Sequence, residues 1–311
     1  MDEESPSPFE LDGWLEFNRL KWGVEPLRVR YDMGEELPAI SAVLYLDRRG
    51  RVVLPRLNPY LPVSFHPTPT EKRYRRDRQW LDVATAMAQD MRARGLRGAV
   101  DLPPEAADVR PWRWAGFQIG IVYTFHLDLP FDPGGADHAL ARQAAKARRA
   151  GYRVERTTNV AHALAPLQET ESRQSFRLGL SLGDLKELRA LLGDEHLRAY
   201  VCYSPQGRPA CAHLVLHSRR RRAIDWLAGT CAADLQSGAT QLTIETALQD
   251  LQESGASGFD FEGANIRSVA AAKALWGGRL VAHAKIETYN LRTLGQWLLG
   301  WLRFRRGVGR P

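Results

Sequence analysis

The sequence has few cysteines and no long apolar run. Cys202, Cys211 and Cys231 are an odd number and lack the spacing of metal ligands. We therefore expect three reduced, buried thiols, without a disulfide framework. No stretch of about 20 apolar residues occurs, which excludes a membrane-spanning helix. The histidines are scattered, so no metal site is expected.

Motifs of covalent catalysis are also missing. There is no G-x-S-x-G elbow, and none of the cysteines sits in a recognisable nucleophile motif. Residues 1–8 are acidic and proline-rich without an apolar core, which predicts a loose tail and no signal peptide. These features predict a cytoplasmic protein.

The composition is that of a basic globular protein. The 311 residues are 44% hydrophobic and 25% charged, which is ordinary, and their length suits two domains. The formal net charge is +7 and the isoelectric point is near 9.5. Such an excess favours an anionic partner: a nucleotide, a nucleic acid or a lipid headgroup.

The same order of predicted elements occurs twice. In each half, hairpin signals precede a helix, a strand, a short helical segment and a strand. The first set contains the helix 73–94 and strands 97–102 and 119–127. The second contains the helix 239–254, the strand 258–262, the helix 266–276 and the strand 280–287. This order predicts an α+β fold used twice.

The sequence PFDPGG at residues 130–135 disfavours both helix and strand and marks the boundary between the two units. We therefore predict a tail at residues 1–8 and domains at 9–129 and 130–289. The remaining segment, residues 290–311, is predicted to form a C-terminal helix.

The most informative segment is GFDFEGANIRSVAAAKALWGG at residues 258–278. In a strand, Asp260 and Glu262 share one face while Phe259 and Phe261 share the other. Lys273 follows on a helix whose other residues from Val269 to Trp276 are Ala, Val, Leu and Trp. Two carboxylates on one face of a buried strand need a partner or a function. The alternative is a strand end whose acids meet water or a structural arginine.

A second segment carries cations without acids. Arg142, Lys146 and Arg149 fall at i, i+4 and i+7 of a predicted helix that begins at His138. A bound diphosphate or tRNA backbone would relieve their repulsion. A solvated basic face that binds nothing is the alternative.

The layout resembles the GNAT acyltransferase fold, and two copies in one chain resemble the Fem aminoacyltransferases. Four segments carry this resemblance over roughly residues 120–290. They are YTFHLDL at 123–129, ARQAAKARRAGYRVE at 141–155, GRPACAHLVLH at 207–217, and FDFEGANIRSVAAAKALWGG at 259–278. The last is similar to the signature D-F-E-G-S…F-K-x-x-F-G. The resemblance implies two tandem GNAT-like domains, each a mixed, largely antiparallel sheet flanked by helices.

The resemblance implies acyl transfer to an amine by direct attack in a ternary complex. Lys273 matches the signature lysine and is our candidate for stabilising the developing negative charge. Asp260 or Glu262 would position the amine or take its proton. The candidate substrate-binding residues are Arg142, Lys146, Arg149, Tyr203 and Trp226. Asp225 and Tyr289 are weaker polar candidates.

Departures from the family pattern bear on which molecule donates the acyl group. Ala145 and Ala272 stand where a basic and an aromatic residue are usual, and Trp276 replaces a phenylalanine. The loop TCAADLQSG at residues 230–238 lacks the glycine-rich turn that binds the pyrophosphate of CoA. We therefore expect no bound cofactor and prefer aminoacyl-tRNA as donor, with acyl-CoA as the alternative.

Three functions are compatible with the sequence. The preferred one is transfer of an amino acid from aminoacyl-tRNA to a peptidoglycan precursor, either a UDP-muramyl peptide or a lipid-linked precursor. The second is an acyl-CoA-dependent N-acyltransferase in envelope or exopolysaccharide synthesis. The third is a catalytically inactive binding protein that retains the fold.

The sequence NLRTLGQWLLGWLRFRR at residues 290–306 has an apolar stripe followed by arginines. One interpretation is a last helix that docks on the first domain. The other is an interfacial helix with tryptophans at headgroup level, which would place the protein at the inner face of the membrane.

Overall fold

A computed structural model describes residues 6–34, 36–174 and 177–288 of the chain. Within these residues eight α-helices form. They are α1 (Asp12–Trp22), α2 (Arg73–Arg94), α3 (Arg110–Trp114), α4 (His138–Arg149), α5 (Ala161–Gln174), α6 (Leu182–His196), α7 (Ala239–Glu253) and α8 (Arg267–Ala274).

The described residues also form twelve strands. Those of the first half are β1 (Glu25–Asp32), β2 (Ala39–Leu46), β3 (Val52–Val53), β4 (Val63–His66), β5 (Val100–Asp101) and β6 (Gln118–Asp128). Those of the second half are β7 (Arg153–Thr157), β8 (Leu197–Tyr203), β9 (Pro209–Leu216), β10 (Arg222–Thr230), β11 (Gly258–Asp260) and β12 (Arg279–Glu287).

Residues 6–8 of the predicted tail lie within the described part of the chain. A 3₁₀ turn spans Pro8–Glu10, and Ser7 and Glu10 cap it reciprocally through their side chains. Pro8 and Phe9 are buried in this turn, because Phe9 packs edge-on against Trp14 and Tyr60. Ser7 and Pro8 therefore belong to the folded chain, which corrects the assignment of residues 7 and 8 to a loose tail.

The apolar periodicity of α2 predicts its bounds, and the structure confirms them. Trp80, Val83, Ala84, Met87 and Met91 are all buried along one side of the helix. The N–H of Gly95 closes the last turn on Met91.

Other elements are not visible in the apolar pattern. α5 contains Pro166 in its interior. α6 is kinked at Gly193, where φ is 70°. Both features break the periodicity from which a helix is normally predicted.

The strands divide into two sheets. β2 pairs with β1, β3 and β4 in a small antiparallel sheet. The large sheet has the order β5-β12-β6-β11-β10-β9-β8-β7 and is antiparallel except for the pair β10 and β11. Strand β6 therefore pairs with β11 and β12, although it precedes the predicted boundary at residues 130–135. That boundary stays a prediction.

The large sheet separates two hydrophobic cores. On one face, Leu214, Leu216 and Ile224 join the core that also contains α1, α2 and α5. On the other face, Val215 and Ala223 join the core beneath α7. This alternation along neighbouring strands shows that both faces of the sheet are covered, so polar side chains between the layers need partners.

None of the described helices has the length and apolarity needed to cross a membrane. The predicted C-terminal helix and Tyr289 lie outside the described residues.

Candidate active site

Of the two carboxylates predicted on one strand face, Asp260 lies in the centre of the large sheet and Glu262 in the turn that follows β11. Asp260 ends β11 and lies opposite His126 of β6. Phe259 and Phe261 point to the opposite side, into the core beneath α7. Asp260 is only 3% exposed, so its charge depends on protein partners.

Asp260 has three such partners. The hydroxyl of Thr124 donates a hydrogen bond to Oδ1, and His126 Nε2 lies 3.2 Å from Oδ2. The N–H of Glu262 also donates to Oδ1, at 2.8 Å. Burial opposes the charge of Asp260, but these bonds outweigh it and hold the pKa of Asp260 below its ordinary value. Asp260 is therefore an oriented, ionised carboxylate.

Glu262 has the opposite electrostatic environment. It is half-buried in the turn after β11, with φ at 51°, a left-handed conformation that is uncommon outside glycine. Burial raises the pKa of Glu262 from 4.5 to about 8; Lys273 lowers it, and the charges of Asp260 and Asp225 raise it further. A carboxyl group with this pKa can exchange protons with an amine near neutral pH.

Lys273 fixes the turn that carries Glu262. Its Nζ donates to the carbonyl of Phe261 at 2.7 Å, to that of Gly263 at 3.0 Å, and to that of Glu262. An ammonium group has three N–H donors, and all three are used here. This geometry differs from the expected oxyanion role, because no donor is left for a reacting oxygen. It is the arrangement of a positioning residue.

Tyr60, in the first half of the chain, is influenced by the charges of these acids. The ring of Tyr60 packs edge-on against His283 of β12, with centroids 6.2 Å apart. Burial, followed by the charges of Asp260, Glu105 and Glu262, raises the pKa of the Tyr60 hydroxyl well above its ordinary value. His283 is held in turn by the carbonyl of Leu102, 3.2 Å from its Nδ1.

Sequence reasoning did not identify Tyr60, Thr124 or His126. For two of them a signal was present, since Thr124 and His126 occupy alternate positions of a correctly predicted strand. Tyr60 lies in a loop and had no such signal.

A second buried pair lies on the neighbouring strands. His213 Nδ1 is 2.9 Å from Oδ1 of Asp225. Burial disfavours the imidazolium, but the charge and hydrogen bond of Asp225 outweigh it and raise the pKa of His213 to about 10. The negative charge of Asp225 contributes to the raised pKa of Glu262, which links this pair to the site.

The strands open beside these acids. β10 and β11 pair in parallel only from Arg222 to Ile224, opposite Gly258 to Asp260. β10 then continues to Thr230 with a bulge after Asp225, whereas β11 ends at Asp260. The chain after Asp260 separates from β10 and stays beside β6, where the N–H groups of Phe261 and Ala264 donate to backbone carbonyls. Such an opening at the carboxyl ends of parallel strands is a common position for a ligand.

Tyr203 and Trp226 have other contacts. Trp226 is 2% exposed, donates through Nε1 to the carbonyl of Leu57 at 2.8 Å, and packs edge-on against Trp14. The hydroxyl of Tyr203 lies 2.6 Å from Nδ1 of His162. Both side chains belong to the core between the two halves, so these contacts indicate packing and give no support to their predicted role in substrate binding.

The three cations of α4 lie on its surface. Arg142, Lys146 and Arg149 are exposed, and Lys146 donates to the carbonyl of Gln236 at 2.8 Å. Arg142 and Arg149 have no hydrogen-bond or ion-pair partner among the residues that the structure describes. The adjacent Arg148 is paired with Glu245 of α7 at 2.9 Å. The helix therefore presents uncompensated positive charge beside the loop 230–238.

Side chains and backbone of the protein occupy the space around the loop 230–238. The N–H of Ala232 donates to Glu169 Oε2 at 2.8 Å, and Asp234 accepts a hydrogen bond from Tyr152 at 2.7 Å. Asp234 also forms an ion pair with Arg208 at 2.8 Å. At Gly238, where φ is 88°, a Cβ would lie 2.1 Å from the carbonyl oxygen of Gln143. The loop is thus closed by α4 and lies beside two carboxylates, its own Asp234 and Glu169 of α5.

Metal ligation has no geometric basis in the described part of the chain. Within residues 6–34, 36–174 and 177–288, no three His, Cys, Asp or Glu side chains are arranged to hold an ion. The three cysteines are buried free thiols.

Comparison with solved structures identifies the architecture. FemX superimposes with a TM-score of 0.64 at 12% identity, covering 93% of this chain and 94% of FemX. The chain has the FemX fold. The predicted α+β fold of the Fem type is therefore confirmed.

Two further structures share the FemX fold. One is the C-terminal domain of a putative lysylphosphatidylglycerol synthetase from Agrobacterium fabrum, with a TM-score of 0.57, 15% identity, and coverage of 88% of this chain and 87% of that domain. The other is L-PGS from Bacillus licheniformis, with a TM-score of 0.55 and 13% identity. This similarity covers 94% of the present chain and 96% of L-PGS. No protein-family model and no curated protein matches the sequence.

Proposed function

We propose that this protein transfers an acyl or aminoacyl group to an amine. The observation that carries the proposal is Glu262, a half-buried carboxyl whose pKa is raised to about 8 beside the ionised Asp260. A general base with a pKa near the working pH suits an amine acceptor, which must lose a proton to become nucleophilic. The similarity of the fold to FemX and to lysylphosphatidylglycerol synthetases supports a transferase activity.

The reaction follows from the positions of these groups. Asp260 attracts the ammonium form of the acceptor into the opening between β10 and β11. The Glu262 carboxylate then takes one proton, and the amine attacks the ester carbonyl of the donor. The new C–N bond forms as the C–O bond to the tRNA ribose breaks, and the released ribose oxygen takes the second proton, which the nitrogen loses as it becomes an amide. Lys273 holds the turn, so the Glu262 carboxylate is preorganised.

We favour aminoacyl-tRNA over acyl-CoA as the donor. A CoA pyrophosphate needs free N–H groups and no nearby negative charge at the start of α7. Glu169 and Asp234 occupy that region here. The exposed cations of α4 instead suit the phosphates of a nucleic acid. The preferred acceptor is the stem peptide of a peptidoglycan precursor, which rests on the resemblance to the Fem enzymes.

A thermal-shift comparison tests the donor and acceptor classes. Purified protein is heated with acetyl-CoA, with a longer acyl-CoA, and with a UDP-linked muramyl pentapeptide. A ligand at about 100 times its dissociation constant adds roughly 2.7 kcal/mol, which raises the melting temperature by several degrees.

We expect a shift with the muramyl peptide alone. A shift with a CoA thioester alone would move the protein to the acyl-CoA branch. Muramyl-peptide binding without turnover on a panel of aminoacyl-tRNAs would instead support an inactive binding protein.

The basic helix gives a prediction about tRNA. Arg149→Gln is expected to weaken tRNA binding and to lower the slope of log affinity against log salt by about one, because one phosphate contact is lost. The measurement is a filter-binding series from low to moderate salt. Arg48→Gln, in the exposed turn between β2 and β3, is the matched control. An unchanged slope in Arg149→Gln would remove Arg149 from the tRNA contact surface.

A further inference from the structure

Strands β6 and β12, which are neighbours inside the large sheet, carry an exposed apolar patch on one face. On β6 the patch contains Ile121 and Tyr123, which are 64% and 38% exposed. On β12 it contains Leu280, which is 53% exposed, and the exposed Ala282. The antiparallel register makes these four side chains direct or diagonal neighbours, and none of them is charged. We call these four residues the β6–β12 patch.

The rest of both strands is covered. On the same face, Ile119 and Ile286 at one end pack into the core that contains α2, and Phe125 at the other end belongs to the core beneath α7. On the opposite face, Thr124 and His126 are buried. The patch is therefore a gap in an otherwise covered part of the sheet. An apolar face of this kind is normally packed against another element.

The segment that follows β12 has the properties of such an element. β12 ends at Glu287, so two residues separate it from the predicted helix at residues 290–306, which is a usual connection length. Seventeen helical residues extend about 25 Å at 1.5 Å per residue. The path from Glu287 back to Leu280 is about 23 Å at 3.3 Å per residue of strand. The apolar stripe of the segment consists of Leu291, Leu294, Trp297, Leu298, Trp301 and Leu302.

We propose that residues 290–306 form a helix that docks on the β6–β12 patch and runs antiparallel to β12. The chain enters this helix from the end of β12 that lies nearest Ile121, so Leu294 packs near Ile121. Trp301, two turns later, packs near Leu280. The apolar stripe is then buried in protein, and the patch is the surface on which the helix docks. This docking involves no step of the proposed transfer reaction.

Thiol labelling of the full chain measures whether the patch is covered. Ile121→Cys and Leu280→Cys are compared with Met33→Cys, at an exposed position of the first half. The native cysteines are buried, so the unsubstituted protein gives the background. The patch thiols are expected to react with a water-soluble maleimide at least about tenfold more slowly than Met33→Cys, because local opening must precede the reaction. Labelling at the rate of Met33→Cys would overturn the proposal.

Charges in the apolar stripe identify the element that covers the patch. In the Ile121→Cys chain, Leu294→Asp with Leu298→Asp is expected to restore fast labelling, because the stripe can no longer be buried. Thr293→Asp with Gln296→Asp adds the same charge on the opposite side of the predicted helix and is expected to leave labelling slow. If labelling stayed slow in the stripe variant, a different element would cover the patch and the proposal would be wrong.

Cross-linking tests the direction of the helix without charged substitutions. The pairs Ile121→Cys with Leu294→Cys and Leu280→Cys with Trp301→Cys are expected to form intramolecular disulfides when treated with diamide. The exchanged pair, Leu280→Cys with Leu294→Cys, is expected not to form one, because positions 294 and 301 are about 10 Å apart along the helix. Peptide mapping by mass spectrometry identifies the links. Absence of both expected disulfides, or efficient formation of the exchanged one, would overturn the proposed arrangement.

Two other occupants of the patch give different results, and each of them would overturn the proposal. If the patch binds a membrane, Ile121→Cys labels fast in buffer and slowly with vesicles that contain anionic lipid. If the patch binds a second copy of the chain, its protection disappears on dilution, and diamide links two chains of Ile121→Cys into a dimer.

Discussion

Replacing Glu262 by glutamine is expected to lower kcat/KM for the amine acceptor by about 10²–10⁴-fold, the usual contribution of a general base. Glutamine keeps the size and the turn, including the N–H bond to Asp260, but cannot accept a proton. Turnover is measured as transfer of a radiolabelled amino acid from tRNA to the muramyl peptide. Glu253→Gln, on the exposed end of α7, is the matched control and should retain wild-type rates.

The pH dependence of kcat/KM for the wild-type protein tests the same role of Glu262. Only the ionised form of Glu262 accepts a proton, so kcat/KM is expected to rise through a pKa of about 8. A wild-type profile that is flat between pH 6 and 9 would exclude Glu262 as the base, as would normal turnover by Glu262→Gln.

Stability provides an independent readout of the raised pKa of Glu262. Above pH 4.5 the unfolded chain releases a proton that the folded chain keeps up to about pH 8. This group therefore makes the folded state less stable as pH rises through that window. Glu262→Gln should match the wild type in melting temperature at pH 4.5 and exceed it at pH 9. The expected gain is about 1–2 kcal/mol, since partial exposure of the side chain screens the effect.

Replacing Lys273 by methionine is expected to impair both stability and catalysis. Methionine fills similar space but leaves the carbonyls of Phe261, Glu262 and Gly263 without their donor. Each unsatisfied carbonyl costs about 1–3 kcal/mol when buried, and water can replace the bond at the exposed Gly263. We expect a total loss of about 2–4 kcal/mol and a fall in kcat of at least tenfold, because the turn no longer holds Glu262.

The pH profile separates this positioning role from direct charge stabilisation. The ammonium of Lys273 lowers the pKa of Glu262, so its loss should move the rise in kcat/KM to higher pH. Arg267→Met, on the exposed first turn of α8, controls for loss of a cation from the same helix. If Lys273→Met abolished turnover at unchanged melting temperature and unchanged profile, direct contact with the reacting oxygen would be the better assignment.

Part of the site follows from local sequence alone. Strand alternation places Asp260 and Glu262 on one face and Phe259 and Phe261 on the other, although β11 ends at Asp260 and Glu262 lies in the following turn. The position of Lys273 also follows from the spacing of the signature. Its role does not, because the three carbonyl acceptors are set by how α8 packs on the turn.

The other members of the site come from distant parts of the chain. Thr124 and His126 meet Asp260 across 136 and 134 residues, and Tyr60 reaches the site from the opposite half. No local pattern encodes these contacts, because they depend on the pairing of β6 with β11. No local pattern encodes the contact of Trp226 either, because its indole N–H donates to the carbonyl of Leu57, 169 residues away.

The sequence by itself determined the order of many elements, the faces of the strands and the segment that carries the acids, because these depend on periodicity and turn residues within about 20 positions. Only the tertiary structure decided the chemistry of those acids. Asp260 and Glu262 lie two residues apart in one segment, yet burial and neighbours from other strands lower one pKa and raise the other. Electrostatic environment is a property of packing, and packing joins residues that the sequence separates.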